Sequence, residues 1–416
     1  VNRNLRVLGI ATAGRMLGNA LYFPFLALFV QTVMGIGYVT IGVLIVATGI
    51  VQLPFNYAGG LLTDRIGRRR LILIGLAAEC VTTLFLGYSF AARSLAGAII
   101  AASIGGAILS AAGPAASAYV SDFAEGSERT RGFTFQRIGF NAGYSAGVTL
   151  GGLLIGVVGF AGSVGIAGII IGGVAVLAAL LLDPSPWDVA HAALGRRPNG
   201  QDSRGTPPNS RGLGESLRIL TRDRIALELS VAVVCASLVV GQWAVVFPLY
   251  VHNILGISYA LLGIGLALNG LVVVFGQTAT TESVIGWRHT TIANVGLLLY
   301  AIGFLGLGAA GWLGIVPVVV FFLSVVVLTV GENLVTIPHS TLPSNIAPAG
   351  EVGSYNGAFS TFGAAGFFFS VLLGTWVLAE TANPLLIWVI LVIPALPAMV
   401  LFRHAAGNLR PELDRA

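Results

Sequence analysis

Four ionisable side chains stand inside long apolar runs of this sequence: Arg15, Glu79, Arg137 and Glu332. A charge held in hydrocarbon costs at least a few kcal/mol, so each is a candidate functional group. Glu332 is the sharpest. It lies in Gly331-Glu332-Asn333, followed by Pro338, and a carboxyl removed from water binds its proton more tightly. Such a group can load and release a proton near neutral pH. The plainer reading is a Glu permanently paired with an Arg, or protonated and filling space. Arg15 sits roughly two helical turns inside the first apolar run, and Arg137 stands one turn before Asn141. Either arginine can anchor an anion or carboxylate of a substrate, or pair with Glu79, Asp122 or Asp64. Glu79 reads as closer to a lipid–water boundary. Asn19, Gln52, Gln242, Asn269 and Asn333 are neutral candidates for a cavity wall. Hydrogen bonds between helices are their plainer role.

Apolar helices must position these groups. The chain has 416 residues, 56% hydrophobic and 9% charged, against about 25% charged in a soluble domain. So few charges cannot cover an outer surface facing water, and lipid must meet the rest. The apolar runs approach the roughly 20 residues that a helix needs to cross a bilayer, which argues against a β-barrel and its short alternating segments. Spans are expected at 7–30, 37–60, 71–91, 95–118, 134–158, 160–182, 226–251, 258–280, 288–310, 313–338, 354–378 and 383–402. The net charge of +5 is carried by arginine, with no lysine. Arg3, Arg6, Arg65, Arg68 to Arg70, Arg129, Arg131, Arg288, Arg403 and Arg410 fall on alternate loops, whereas the opposite loops hold Arg93. The positive-inside rule then places both termini in the cytoplasm. The basic charge sets topology and implies no nucleic acid. Cys80 and Cys235 lie in apolar runs as small core residues, and no cleavable signal peptide is expected.

Residues 183–225 collect Pro184, Pro186, Pro198, Pro207 and Pro208 with Gly, Ser and charge. They read as a mostly irregular cytoplasmic linker with a short amphipathic helix near Glu215–Ile219. This divides the chain into a six-helix bundle at 1–182, the linker, and a second six-helix bundle at 226–416 with a short cytoplasmic tail. An offset of 223 places Glu128 on Glu351, Gly143 on Gly366 and Gly151 on Gly374, a faint trace of parallel repeats.

After the second span comes Gly60-Leu61-Leu62-Thr63-Asp64-Arg65-Ile66-Gly67-Arg68-Arg69. This closely resembles the G-x-L-x-D-R-x-G-R-R loop of the major facilitator superfamily, and in the same place. The resemblance implies an all-α polytopic membrane protein of twelve transmembrane helices, arranged as two pseudo-symmetric bundles of six. It also implies secondary active transport by alternating access. Gly60 permits close helix approach, Gly67 lets a short loop reverse, and Asp64 offers a carboxylate to a helix N-terminus or an Arg. With Arg65, Arg68 and Arg69 they form a candidate cytoplasmic latch. The second half holds only a degenerate copy, Gly276 followed by Glu282, Gly286, Arg288 and His289.

Gly139, Gly143, Gly147 and Gly151 recur every four residues and lie along one helix face, open to a close neighbour. The run resembles the superfamily's antiporter motif in span five, with Val148 where that motif has proline. Glu332 with Pro338 and Ile346-Ala347-Pro348 is similar to span ten of twelve-helix multidrug/proton antiporters. That resemblance implies proton-coupled efflux of amphipathic drugs or lipophilic compounds, with Glu332 as the coupling acid. The alternative is a proton-coupled or exchange transporter of a specific polar or anionic metabolite. No H-E-x-x-H, nucleophile elbow or phosphate loop is present. His191, His252, His289, His339 and His404 show no ligand spacing. The expectations are therefore no enzyme activity, cofactor or metal, and a monomer in a prokaryotic inner membrane whose partners are lipid, a small-molecule substrate and protons.

Overall fold

A computed structural model of the chain describes residues 2–123, 126–194, 223–314, 317–348 and 352–415. The turn of helix expected near 215–219, most of the linker, and Glu351 lie outside the described residues. So does the side chain of Asp64, although the backbone at Gly60 and Asp64 is helical. The described chain is helical almost throughout, and no strand forms among the described residues beyond one bridge between Arg288 and Arg415. Ten segments among them are long and apolar enough to cross a membrane. One of these, Arg131–Leu181, is two helices run together. Non-helical backbone at Gly159 (φ 71°, ψ 175°) divides it, a conformation glycine adopts without a Cβ penalty.

The chain forms two compact units. The first comprises Val1–Ile36, Val43–Ser203 and Ser258–Gly270. Its helices are α1 (Arg3–Ala20), α2 (Leu26–Thr32), most of α3 (Tyr38–Ile66), α4 (Arg68–Ala91), α5 (Leu95–Phe123), α6 (Gly126–Leu181) and α7 (Pro186–Leu194). A 3-10 turn at Phe23-Pro24-Phe25 separates α1 from α2. Leu5, Leu71, Leu76, Tyr119 and Val174 pack into one core where α1, α4, α5 and α6 meet. The α7 helix occupies chain expected to be irregular, and Pro186 starts it where a missing N–H costs nothing.

Glycines set the seam between α1 and α6. A Cβ added at Gly139, Gly143, Gly147 or Gly151 would strike the backbone carbonyl of Gly9, Ala13, Leu17 or Leu21 respectively. Both series advance by four residues, so the two helices run in the same direction with their backbones in contact.

The second unit comprises Gly37–Gly42, Arg204–Ile257 and Leu271–Ala416. It contains α8 (Arg224–Val240), α9 (Val246–Asn253), the later part of α10 (Tyr259–Ser283), α11 (His289–Leu313) and α12 (Pro317–Ile346). The last three helices are α13 (Val352–Glu380), α14 (Pro384–Val392) and α15 (Ala395–Asn408). Asp223 caps α8 by accepting from the Ile225 and Ala226 N–H groups, and Tyr355 on α13 donates to its other oxygen at 2.8 Å. Phe304 and Trp388 stack at 4.4 Å between centroids, with Tyr250 edge-on to Trp388. Gly296 on α11 and Gly331 on α12 face each other, each 2.9 Å from where the other's carbonyl would meet a Cβ. Large apolar side chains remain exposed on the outside, including Val157 and Phe275, the surface a lipid-facing protein presents.

The glycine seam makes a testable claim. Gly143→Ala drives a methyl into the Ala13 carbonyl, and overpacking of this kind costs about 1–3 kcal/mol. Gly156, on the same helix, has open space around its Cβ direction, so Gly156→Ala should cost nothing. Thermal unfolding in detergent checks both; equal losses would show that no close seam exists.

Candidate functional site

Arg15, in the last third of α1, meets Glu79 on α4. The Arg15 Nε lies 3.0 Å from Glu79 Oε2, with the carboxylate 7% and the guanidinium 25% exposed. Asn19, one turn after Arg15, donates its amide to Glu79 Oε1 at 2.7 Å, and the Tyr22 hydroxyl donates to Asn19 Oδ1 at 3.3 Å. Because α4 begins at Arg68, Glu79 is central in it. The helix starts three residues before the span expected at 71–91. Arg15 therefore has an internal partner, and the pair is neutral in the hydrocarbon.

The other mid-helix acid has different surroundings. Glu332 stands at the middle of α12 and lines a cavity of about 260 Å³ bounded by α8, α11, α12, α13 and α15. Its preceding residue, Gly331, is pressed against Gly296, and one residue further round the helix turns Glu332 toward α8. Thr336 and His339 line the same cavity, with Ser237 and otherwise apolar or aromatic side chains. The Thr336 hydroxyl donates to the Glu332 carbonyl at 2.8 Å.

The remaining candidates scatter. Asn333 is 1% exposed and packs near Gly276 on α10, away from the cavity. Neither Nδ2 nor Oδ1 of its amide has a hydrogen-bond partner among the described residues. Gln242 is fully buried and donates to the carbonyls of Leu238 and Ser370, at 2.9 and 3.1 Å, in space left by Gly374. It ties the end of α8 to α13. Asn269 is buried in α10. Arg137 is exposed near the start of the apolar part of α6, and its carbonyl accepts from the Asn141 amide at 3.0 Å.

The loop between α3 and α4 is built around one helix end. Gly67, at φ 99°, turns the chain into α4. The exposed N–H groups of Arg68 and Arg69 donate to the two oxygens of Asp188 on α7, at 2.8 and 3.2 Å, so a carboxylate sits on the positive end of α4. Arg68 is 3.0 Å from Asp122 on α5 and lies 3.7 Å over the Trp187 ring. The Arg69 guanidinium donates to the carbonyls of Leu182 and Ala179, each at 2.7 Å. Arg65 is exposed. In the second unit, Gly286 at φ 83° leads into α11, and a carboxylate again sits on the helix end. Asp414, fully buried in the tail, accepts from Thr290 N–H at 3.0 Å, Thr290 Oγ1 at 2.7 Å and Arg288 Nε at 2.6 Å.

A family model described as Major Facilitator Superfamily matches residues 8–371. The chain belongs to that superfamily. A relative from Bacillus subtilis (strain 168), the uncharacterized MFS-type transporter YttB, is 22% identical over 374 residues, 89% of this chain and 87% of its own. Among solved structures, a peptide transporter of the POT type aligns with TM-score 0.73 at 16% identity, covering 98% of this chain and 95% of that one. The nucleoside transporter NupG aligns with TM-score 0.75 at 12% identity, covering 98% and 100%. At such identities these structures share the fold.

The chain is thus a multi-pass membrane transporter of the major facilitator type. In this major facilitator chain, residues outside the loop motif complete it. Asp188, Trp187 and Asp122 were not among the candidates for the latch. A signal for Asp188 was present: Ser185-Pro186-Trp187-Asp188 is a capping box. Ser185 Oγ accepts from Asp188 N–H at 3.2 Å, and Asp188 Oδ2 accepts from Ser185 N–H at 3.0 Å. Nothing local marks Asp414, because its target lies more than a hundred residues away.

Two outcomes are expected. Asp188→Ala should lower stability by about 0.5–2 kcal/mol, the usual cost of losing a cap, whereas Arg70→Ala, at an exposed position, should leave it unchanged in the same denaturation series. Glu79→Ala strands the Arg15 charge and should cost about 3–5 kcal/mol. The Arg15→Ala/Glu79→Ala double variant should recover part of that loss, and a purely additive double variant would show that the pair is not coupled.

Proposed function

We propose that the chain is a proton-coupled exporter of amphipathic or lipophilic compounds in a prokaryotic inner membrane, with Glu332 as the coupling acid. In this reading it crosses the membrane twelve times with both termini cytoplasmic. Bundles at 1–182 and 226–416, joined by the 183–225 linker, alternate access to the substrate. The observation that carries the reading is the position of Glu332: mid-helix on α12, on the wall of a mainly apolar cavity that no arginine lines. A lipophilic cation entering such a place gains apolar contact and competes with a proton for the same carboxylate. Exchange of one for the other is antiport.

The driving force suffices. A proton moving down about 100 mV supplies roughly 2.3 kcal/mol, and each pH unit adds about 1.4 kcal/mol. Together they sustain a gradient of a few hundredfold for a neutral substrate exchanged against one proton; a monovalent cation exchanged one for one moves no net charge and is driven by the pH difference alone, about tenfold per unit. Peptide and nucleoside transporters share this fold at 16% and 12% identity, too distant to assign a substrate here.

The test is ethidium movement in proteoliposomes under an imposed pH gradient, wild type beside Glu332→Gln. Accumulation that follows the gradient and disappears in the variant is the expected result. Folded wild-type protein that moves no ethidium would overturn drug export. It would favour a polar or anionic metabolite, with exposed Arg137 and Asn141 as its first anchors to test.

A further inference from the structure

Glu332 shares its cavity with a second proton-binding side chain that lies toward one end of the same helix. Residues 332, 336 and 339 are spaced by four and three, so they share one face of α12, and all three line the cavity. Glu332 is half-buried, while Thr336 and His339 are exposed. The face therefore runs from an enclosed carboxyl to an open imidazole, in the direction of Ile346. Seven residues at about 1.5 Å each separate the two groups by roughly 10 Å along the axis. That is too far for direct transfer, but the cavity of about 260 Å³ has room for several bridging waters.

Other features keep this route open and polar. On α13, Gly363 offers no side chain; a Cβ there would stand 3.3 Å from His339 Nε2 and 3.9 Å from Ser237 Oγ. The imidazole is thus uncrowded beside a hydroxyl on α8. Pro338 and Pro343 lie within α12. Having no N–H, they leave the carbonyls of Leu334 and His339 without their usual helical donors. The His339 carbonyl, on a residue that lines the cavity, is an acceptor for water there, a defect tolerated in a membrane only where the backbone meets protein or a wet cavity.

Of the side chains that line the cavity, only Glu332 and His339 titrate: α8, α11, α13 and α15 contribute aliphatic, aromatic and hydroxyl groups. Tyr300 on α11 also faces Glu332. Histidine is the side chain whose ordinary titration falls in the physiological range.

We infer that His339 is a second proton-carrying residue, which passes protons between Glu332 and the end of α12 at Ile346. In the release step the Glu332 carboxyl O–H breaks and its proton goes to a water. A proton from the water chain then binds the bare ring nitrogen of His339. The imidazolium returns to neutral by giving a proton to solvent. One proton moves, and nothing is oxidised or reduced. Loading is the reverse. The inference rests on the reading of Glu332 as the coupling acid.

The experiment uses full-length protein in proteoliposomes with ethidium, comparing wild type, Glu332→Gln and His339→Gln. Two modes are measured: accumulation driven by a pH gradient, and exchange of external for internal ethidium with no gradient. The expected result is that His339→Gln loses about tenfold or more of the driven rate, the scale on which a positioned acid–base group acts. It should also lose the pH dependence of that rate while still exchanging dye for dye. His339→Gln with a wild-type driven rate and pH profile would overturn the relay and leave Glu332 coupling intact. Loss of both modes together would overturn it as well, by marking His339 as structural. Wild type that accumulates no ethidium would remove the export reading, and the relay with it.

Discussion

Hydrocarbon offers no hydrogen bonds, so every polar group in a span must find its partner inside the protein or in a wet cavity. The rest of this structure follows from how that demand is met. Backbone groups are satisfied by helices, and where the helix is interrupted the break has a cause. Pro24 sits in the 3-10 turn after α1, and Gly159 takes a positive φ within α6. Some side chains meet the same demand pairwise, although the buried Asn333 amide has no partner among the described residues. Gln242 satisfies the carbonyls of Leu238 and Ser370, and Asn19 adds a second donor to a carboxylate already held by Arg15. Close packing then substitutes for the hydrophobic drive that lipid cannot supply between helices, which is why glycine occupies the α1–α6 and α11–α12 seams.

Helix ends face the demand in its hardest form, because the first N–H groups have no partner within the helix. Both units answer it at the same place. A glycine of positive φ turns the chain, and an aspartate distant in sequence, on α7 in the first unit and in the C-terminal tail in the second, closes the exposed end. Asp188 does this for α4 and Asp414 for α11. The arginine beside each cap is tied down as well: Arg68 to Asp122 and Trp187, Arg288 to Asp414. The second unit thus repeats the geometry with different residues.

Legibility follows from range. The four-residue glycine spacing is a local pattern, and its meaning as a close-packing face could be read directly. The loop from Gly60 to Arg69 was equally readable, and with it the family. Arg68, Arg69 and Arg70 hid the first turn of α4, which the apolar run from residue 71 leaves out. The spacing of Glu332, Thr336 and His339 was also visible, but the histidines were searched for metal-ligand spacing and not for a shared helix face. Gln242 gave no sign of its burial, because that depends on Gly374, a partner distant in sequence. The same holds for Asp414 and for Asp122 with Arg68.

The two mid-helix acids stand in different surroundings. Placing a proton on Glu79 would leave the Arg15 guanidinium without its counter-charge in a medium where an isolated ion costs several kcal/mol. The pair is therefore held in one state, with Asn19 bonded to the same carboxylate. No arginine lines the cavity that holds Glu332. In the proposed exchange a proton arriving there removes a charge, and one leaving restores it. Coupling needs a residue whose two protonation states are close in free energy and respond to what else occupies the site. Under the proposed role that residue is Glu332, and the two acids differ in what their helix faces supply: Arg15 and Asn19 for Glu79, a mainly apolar cavity wall for Glu332.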